Sequence, residues 1–223
     1  MLSFDDLGAG DWGKYGEMIL RSENVFPEAI RTPEEDFLEV VSEADGVAKV
    51  ALLDSQYVGN VFGYRMAQED FEYYGISDVP REAKVIYLFS VVVNPEFQGR
   101  GYGHLLLQEF IKTAKAKGYD YVAGHFRQNN SLQLIRKFGA RENGVCHNWD
   151  NTGEDCVVCC LDLHGISGVE FRDFVTAEKH VPIQADREKI QNPMPIIPDM
   201  DEILFRTEPH AGGPDLAVGS PHF

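Results

Sequence analysis

Residues 91–104 are the part of this sequence whose types and spacing could do chemistry. They read Val91-Val92-Val93-Asn94-Pro95-Glu96-Phe97-Gln98-Gly99-Arg100-Gly101-Tyr102-Gly103-His104, a buried strand running through a glycine-rich turn into a helix. Such a turn exposes several backbone N–H groups at a helix N-terminus, where the helix dipole favours an anion. The glycines let a phosphate approach the main chain because no Cβ stands in the way. The segment therefore predicts a phosphate-binding turn.

Two common phosphate loops do not fit the turn. A Walker loop would need a Gly-Lys-Ser/Thr ending, which this segment lacks. A dinucleotide fingerprint would need glycine at His104 and a carboxylate closing the next strand, where Gly124-His125 stand instead. A glycine-rich turn with no ligand remains open at this level.

The elements that must position the turn alternate between helices and strands. Apolar spacing and turn residues predict helices over about residues 12–23, 33–42, 101–117 and 131–138. They predict strands over about residues 47–53, 57–66, 83–93, 121–126, 144–148 and 156–163. Asp11 and Thr32 are the expected N-caps of the first two helices, and residues 68–82 form a polar loop with a short helical piece. The pattern is typical of a mixed α/β domain.

The four cysteines all lie between residues 146 and 160. Cys156-Val157-Val158-Cys159-Cys160 reads as a β-branched strand, in which Cys159 and Cys160 point to opposite faces. That arrangement is poor for chelation, so we expect buried free thiols and no metal.

The charge of the chain is strongly acidic, with a net charge of −16 and a sequence pI near 4.7. It divides unevenly into −12 over residues 1–82, +1 over residues 83–164 and −5 over residues 165–223. This balance argues against nucleic-acid and anionic membrane partners. Two interpretations stay open: a solvated acidic surface, or a middle region that receives an anion beside a flank that attracts a cation.

The chain shows no apolar run approaching the roughly 18 residues of a membrane span. Its first residues are acidic and lack the basic and apolar regions of a signal peptide. We therefore expect a soluble, cytoplasmic protein.

The amino-acid composition changes after His164, where prolines become frequent. Residues such as Ile190, Ile196 and Phe205 are nevertheless too apolar for a purely solvated tail. We expect residues 165–223 to form a Pro-rich arm that packs on its own domain or on a neighbouring subunit, which would give a homodimer.

Two motifs in order carry a family resemblance. Gln98-Gly99-Arg100-Gly101-Tyr102-Gly103, after a strand ending in Val-x-Pro, resembles the acetyl-CoA loop of GNAT-family N-acetyltransferases. Downstream, the stretch from Asn129 to Ala140 is similar to that family's second motif. The resemblance covers roughly residues 12–164 and implies a GNAT-like mixed central sheet flanked by helices. It places an acetyl-CoA-binding domain at residues 1–164.

The resemblance also implies which residues bind acetyl-CoA as cosubstrate. Main-chain groups of Val91, Val92 and Val93 would pair with the pantetheine arm as an extra strand. Amides of Gln98, Gly99, Arg100, Gly101, Tyr102 and Gly103 would hold the diphosphate. Asn129, Asn130 and Ser131 would contact the far end of pantetheine or the nucleotide. The backbone near Val92 would polarise the thioester carbonyl for direct attack by a neutral amine.

Two positions depart from the family pattern. Ile135 stands where the family often has a tyrosine that protonates the thiolate, and the stretch Tyr87-Leu88-Phe89-Ser90 lacks the usual acid. His125 and Tyr87 are the substitute catalytic candidates: His125 for its intrinsic pKa, Tyr87 as a proton relay through water. Burial as ordinary strand residues is the alternative for both.

The acceptor implied by the family is an amine, and the acidic first 82 residues suggest a cationic one. Glu23 and Glu28, in the segment that lines the acceptor cleft in this family, are the candidates to bind it, with Glu69, Asp70 and Glu72 as further acids. A polyamine, a lysine side chain or an amino sugar would fit.

Two other functions stay open at the sequence level. The missing catalytic residues would suit a non-catalytic acyl-CoA sensor. The C-terminal arm could also make the domain an assembly scaffold.

Overall fold

The computed structural model describes residues 1–166 of the chain. The arm expected over residues 165–223 lies almost wholly outside the described residues. A short helix expected near residues 198–206 and the expected subunit contact lie outside them as well. Within those residues, eleven helices and strands follow one another in the order β1 (Leu2–Asp6), α1 (Trp12–Ser22), α2 (Glu34–Ser42), β2 (Val47–Leu53), β3 (Gln56–Arg65), β4 (Val85–Val93), α3 (Tyr102–Ala116), β5 (Tyr121–Arg127), α4 (Asn130–Lys137), β6 (Arg141–Cys146) and β7 (Cys156–Asp162).

The strands of residues 1–166 form one seven-stranded sheet in the order β1-β2-β3-β4-β5-β7-β6. All neighbours are antiparallel except β4 and β5, which run parallel because α3 crosses over between them. The predicted mixed sheet flanked by helices is confirmed.

The two faces of the sheet bury different elements. On one face, Leu106, Phe110 and Ile111 of α3 pack with Ile86 and Leu88 of β4. On the other face, helices α1 and α2 cover β2 and β3, and the segment between β3 and β4 covers β4, β5 and β7. Alternation along β4 thus sends Val85 and Tyr87 to the second face, where the candidate catalytic residues lie.

Asp11 is the N-cap residue of α1 as predicted, whereas Thr32 is not the N-cap of α2. The Asp11 carboxylate accepts a hydrogen bond from the Gly8 N–H at 3.0 Å, and its side chain does not cap α1. Pro33 occupies the N-cap position of α2, and the Thr32 N–H donates instead to the Glu23 carboxylate. The Asp11 carboxylate and the Thr32 N–H therefore form hydrogen bonds outside the helix ends that they were expected to cap.

The cysteines are free, as predicted. Cys156, Cys159 and Cys160 are buried and Cys146 is half-buried. Cys159 and Cys160 belong to the cores on opposite faces of the sheet. Burial raises the pKa of the Cys159 thiol to about 11 and that of Cys160 to about 12, so both stay protonated at neutral pH.

Membrane spans and metal clusters are both absent from residues 1–166. None of the helices in this range is long and apolar enough to cross a membrane. None of the His, Cys, Asp and Glu side chains there group in threes or more in a way that could hold a metal ion.

Candidate active site

The glycine-rich turn leaves the end of β4 and leads into α3. After a short 3₁₀ turn at Pro95–Phe97, Gly99 and Gly101 take φ values of +75° and +86°. A side chain at either position would be strained, yet no atom lies within 4 Å of where its Cβ would stand. Gly99 and Gly101 therefore allow the positive φ values of the turn and leave its outer side open.

The N-terminus of α3 has no side-chain cap. Gly101 is its N-cap residue, and the His104 N–H closes the first turn on the Gly101 carbonyl at 3.0 Å. The amides of the first turn therefore point away from the helix body, with the positive end of the dipole behind them. An uncapped helix start of this kind can bind an anion, and the predicted role of Gly101, Tyr102 and Gly103 in binding a diphosphate stays a prediction.

Two side chains of the turn fold back on it. The Gln98 side-chain amide donates to the Val93 carbonyl at 2.9 Å, which ties the turn to β4. The Arg100 guanidinium lies 5.7 Å from the centre of the Phe97 ring and remains exposed. Gln98 thus holds the shape of the turn, while Arg100 stays available to a ligand.

Strands β4 and β5 diverge beside the turn. They pair only from Val85 with Tyr121 to Tyr87 with Ala123, although β4 continues to Val93. Gly124 stands where they part, and a Cβ there would lie 2.9 Å from the Leu88 carbonyl oxygen. Within the described residues, the stretch of β4 that includes Val91, Val92 and Val93 has a strand neighbour on the β3 side only.

A β-bulge interrupts β4 at the same place. Leu88 pairs with Gly63 and Ser90 pairs with Phe62, so Phe89 has no partner residue on β3. The bulge changes the direction of the main chain where β4 and β5 begin to separate. Sequence reasoning missed it because no residue type marks it.

The second motif begins beyond β5. Asn129 is the N-cap of α4, and its side-chain oxygen accepts from the Ser131 N–H at 2.9 Å and the Ser131 hydroxyl at 2.8 Å. Asn129 and Asn130 are exposed and Ser131 is half-buried. Asn129 and Ser131 thus have a structural role at the helix start, whatever they bind.

The two candidate catalytic residues, 38 positions apart, meet in the fold. The Tyr87 hydroxyl lies 2.7 Å from His125 Nδ1. Tyr87 is 5% exposed, and burial raises the pKa of its phenol well above its usual range. Burial also lowers the pKa of His125 to about 4, which keeps the imidazole neutral at pH 7.

Aromatic rings surround this pair. Trp149 stacks on His125 with ring centres 3.8 Å apart, and Tyr74 lies 4.9 Å from Tyr87. Tyr64 is 5.4 Å from Tyr87 and 5.9 Å from Phe89. Tyr64, Tyr74, Phe89 and Trp149 are all half-buried, so the cluster reaches solvent.

Carboxylates stand close to the Tyr64 side of the cluster. The charges of Asp70 and Asp36 both contribute to raising the pKa of Tyr64, after its burial and its hydrogen bond to Tyr74. Burial and the neighbouring Glu35 and Glu39 raise the pKa of Asp36. A cation that reached these rings would meet negative charge there.

Glu23 lies inside the protein rather than on its surface. It is 2% exposed, and its carboxylate accepts from the Ser90 hydroxyl of β4 and the Thr32 N–H, each at 3.0 Å. Burial raises its pKa, although both hydrogen bonds oppose that effect. Glu23 is thus beside the bulge of β4. On the neighbouring strand β3, the Asn60 amide nitrogen is buried without a partner among the described residues.

The other candidate acids are spread around the second face. Glu28, Glu69 and Glu72 are exposed, and Asp70 is half-buried. The short turn Glu28–Ile30 lies against residues 149–151, next to the Trp149 stack. Glu28 is therefore close to the aromatic cluster, whereas Glu69 and Glu72 are exposed residues of the segment between β3 and β4.

Several residues of the site were not singled out from the sequence. Trp149 and Tyr74 come from loops, and Tyr64 and Ser90 come from strands. Only Tyr74 carried a usable signal, since it lies beside the acids Glu69, Asp70 and Glu72 in a loop rich in aromatic residues.

Comparisons with known proteins concern the sequence and the fold of this chain. The model of the acetyltransferase (GNAT) family matches residues 17–140. A curated N-alpha-acetyltransferase from Sulfurisphaera tokodaii is 27% identical over 130 residues, which cover 57% of this chain and 75% of that protein.

Solved structures share the fold at low identity. Arabidopsis thaliana NAA60 in complex with acetyl-CoA has a TM-score of 0.62 at 18% identity and covers 74% of this chain and 100% of its own. A polyamine N-acetyltransferase from Drosophila melanogaster, which forms N-acetylagmatine, has a TM-score of 0.62 at 15% identity, with 73% and 100% covered.

Proposed function

This chain belongs to the acetyltransferase (GNAT) family, and we propose that it acetylates a primary amine that carries a further positive charge. It is an acetyl-CoA-dependent N-acetyltransferase, as the family match and the curated relative indicate. The acceptor class and the residues that assist the transfer are the proposed part.

The residues of the first motif suit acetyl-CoA as cosubstrate. The open turn at Gly99 and Gly101 and the uncapped start of α3 offer amides to a diphosphate. The edge of β4 that faces the gap offers main-chain groups to the amides of pantetheine, as a neighbouring strand would. We assign Val91–Val93 and Gln98–Gly103 to these roles. Asn129, Asn130 and Ser131 stand at the start of α4, on the far side of the same gap.

The proton of the amine must leave as the new bond forms. Bound acetyl-CoA supplies a thioester whose carbonyl carbon is the electrophile. The neutral His125 can accept a proton, and the Tyr87 hydroxyl at 2.7 Å can pass one to Nδ1 while it takes one from the acceptor side. A pKa of about 4 makes His125 a weak base, so we expect the pair to contribute about 10- to 100-fold to the rate.

The main chain of β4 is the proposed source of electrostatic stabilisation. The bulge leaves Phe89 without a partner on β3, and the β5 side of Ser90–Val92 is unpaired among the described strands. Amides between Phe89 and Val92 are thereby the candidates to donate to a carbonyl oxygen held in the gap.

The surroundings of the pair favour a cationic acceptor. The half-buried rings of Tyr64, Tyr74 and Phe89 present π-faces that attract cations, and Asp36 and Asp70 add negative charge near Tyr64. Glu23 and Glu28 approach from the α1–α2 side. The meeting of Tyr87 and His125 among these groups is the single observation that carries the proposal.

The test measures thiol release from acetyl-CoA with three amines of one chain length. We expect 1,5-diaminopentane to give a kcat/KM at least about tenfold higher than 1-aminopentane and 5-amino-1-pentanol, because only the diamine keeps a distant ammonium. Equal values would contradict the cationic acceptor.

A wider amine panel tests the reaction itself. Binding of acetyl-CoA with no thiol release for any amine would contradict an acetyltransferase and favour the sensor. The Tyr87→Phe variant should lower kcat by about 10- to 100-fold with little change in the acetyl-CoA Kd, because only the hydroxyl that reaches His125 is lost.

A further inference from the structure

The hairpin loop between β6 and β7 covers one side of His125. Its Trp149 ring lies 3.8 Å from the imidazole centre at an interplanar angle of 18°. On its outer side, residues 149–151 lie against the Glu28–Ile30 turn. The indole thus stacks on the imidazole, and the turn that carries it lies against the segment that leads into α2.

The loop is built to hold that tryptophan in place. The main-chain N–H of Trp149 donates to the main-chain carbonyl of Glu154 at 2.9 Å, and the Thr152 hydroxyl donates to the main-chain carbonyl of Trp149 at 2.7 Å. The Asn148 side-chain oxygen accepts from the Gly153 N–H at 2.7 Å. These bonds cross the loop and fix the backbone that carries the indole.

A two-pronged ion pair anchors the loop to β5. Both Nε and Nη2 of Arg127 donate to the carboxylate of Glu154, with 2.6 Å between Nη2 and Oε1. Arg127 is two residues after His125 on the same strand. One strand therefore carries both the imidazole and the clamp that brings Trp149 over it, and such forked pairs fix orientation as well as distance.

We propose that Trp149, held by the Arg127–Glu154 pair, is a positioning residue that keeps His125 against the Tyr87 hydroxyl and away from water. The proposal rests on the proposed function of His125 and Tyr87 in proton transfer. Trp149 acts through the histidine, by packing on one face of its ring, and takes no proton itself.

Among residues 1–166, the groups that face His125 carry no unpaired charge, so packing is the main influence on its pKa. Tyr87 on β4 and Tyr74 in the segment between β3 and β4 present phenol rings to His125, and Val158 is the partner residue of His125 on β7. The charges of Arg127 and Glu154 are paired with each other. Burial is the cause of the lowered His125 pKa, and the indole covers one face of the imidazole ring.

The first experiment follows the His125 ring by NMR across pH in the full chain, with His125→Gln to assign its signal. In the unmodified protein we expect a midpoint near pH 4. Trp149→Ala should raise the midpoint by at least one pH unit, because water then reaches the ring. Trp149→Phe, which can still stack, should keep most of the original value.

Two variants of the loop separate anchoring from general damage. Glu154→Gln weakens the fork to Arg127 and should raise the midpoint in the same direction, by less than Trp149→Ala. His147→Gln removes the exposed partner of Asp155 in the same loop and should leave the midpoint unchanged. Thermal unfolding of each variant identifies any that no longer folds. If Trp149→Ala does not fold, the NMR midpoint of Trp149→Phe is compared with that of the unmodified protein.

Kinetics supply the second readout. For Trp149→Ala we expect kcat to fall about tenfold near pH 6 and its acid limb to move upward together with the NMR midpoint. An increase in the acceptor KM with an unmoved acid limb and an unmoved midpoint would overturn the proposal, because Trp149 would then only contact the acceptor. If the proposed chemistry fails, no variant turns over amines, yet the NMR midpoint still tests the packing.

Discussion

Burial keeps the His125 imidazole neutral in the folded protein at pH values where the unfolded chain carries it as a cation. Its pKa is about 4 in the fold against 6.5 unperturbed, so the unfolded chain binds more protons between those values. The free energy of unfolding should therefore fall as pH drops from about 6.5 to about 4, by at most about 3 kcal/mol from this residue. Urea unfolding at pH 7 and pH 5 measures the loss.

His125→Gln provides the control for that pH dependence. The variant removes the titrating ring, so its loss of stability between pH 7 and pH 5 should be smaller by about 1–2 kcal/mol. An identical loss in both proteins would show that other groups govern acid stability.

Glu23 offers a second residue-scale prediction, with the opposite sign of linkage. Its pKa is raised by burial, so its contribution to stability is present at low pH and is lost as pH rises through the folded value. Glu23→Gln removes the buried charge, and its amide can donate to the Ser90 hydroxyl while its oxygen accepts from the Thr32 N–H. We expect unchanged or slightly higher stability at pH 7, by about 1 kcal/mol, in urea unfolding.

The same variant tests whether Glu23 serves the acceptor. With acetyl-CoA saturating and 1,5-diaminopentane as the acceptor, the acceptor KM should rise by about tenfold, while the acetyl-CoA Kd stays constant. A large loss of stability with an unchanged acceptor KM would assign Glu23 a structural role only.

Single residues also show where sequence reasoning ended. Tyr87 and His125 could be named from their chemistry, but their contact depends on the parallel register that pairs Tyr87 with Ala123. Trp149 reaches His125 only because β7 returns beside β5 and closes the hairpin over it. Spacing along the chain contains neither fact, since both arise from strand order.

At the scale of elements, the turn before α3 allows a matched test of its glycines. Gly99 before α3 and Gly118 after it have φ values of +75° and +76°, and both have open space where a Cβ would stand. Alanine at either position should therefore cost about the same stability, about 1 kcal/mol. Urea unfolding of Gly99→Ala and Gly118→Ala checks this equality.

The two variants should differ in binding the cosubstrate. Gly99→Ala places a methyl group on the outer side of the turn, so we expect the acetyl-CoA Kd to rise by about tenfold or more in calorimetry. Gly118→Ala, at the other end of α3, should leave the Kd unchanged. Equal effects on binding would mean that the turn matters only for folding.

The elements themselves were largely predictable. Within residues 1–166, the predicted helices and strands formed within a few residues of their expected bounds. The apolar spacing of α3 and the nearly continuous apolar run of β4 were the strongest signals. Strand β1 was missed, since Leu2–Asp6 is short and acidic and gains its place only by pairing with β2. The bulge in β4 was missed for a similar reason, because it is a property of two strands together.

At the scale of the whole molecule, the acidic and the nearly neutral regions of the sequence form different parts of the fold. Residues 1–82, with a net charge of −12, supply α1, α2 and much of the second face, while the turn and α3 belong to the nearly neutral middle region. An anionic cosubstrate and a cationic acceptor would thus meet surfaces of different potential on either side of β4. Long-range attraction of this kind weakens with salt, because the Debye length falls from about 10 Å at 0.1 M to about 3 Å at 1 M.

Salt should therefore act on a charged acceptor and spare a neutral one. With acetyl-CoA saturating, raising NaCl from about 0.05 M to about 0.5 M should increase the KM for the diamine several-fold and change the KM for 5-amino-1-pentanol, which lacks the distant ammonium, much less. Replacing Asp36 and Asp70 together by Asn should reduce the salt effect on the diamine, because the charges of these two carboxylates act on Tyr64. Parallel changes for both amines would trace the salt effect to the transferred amino group or the protein at large, and the acidic flank would then be a solvated surface with no part in choosing the acceptor.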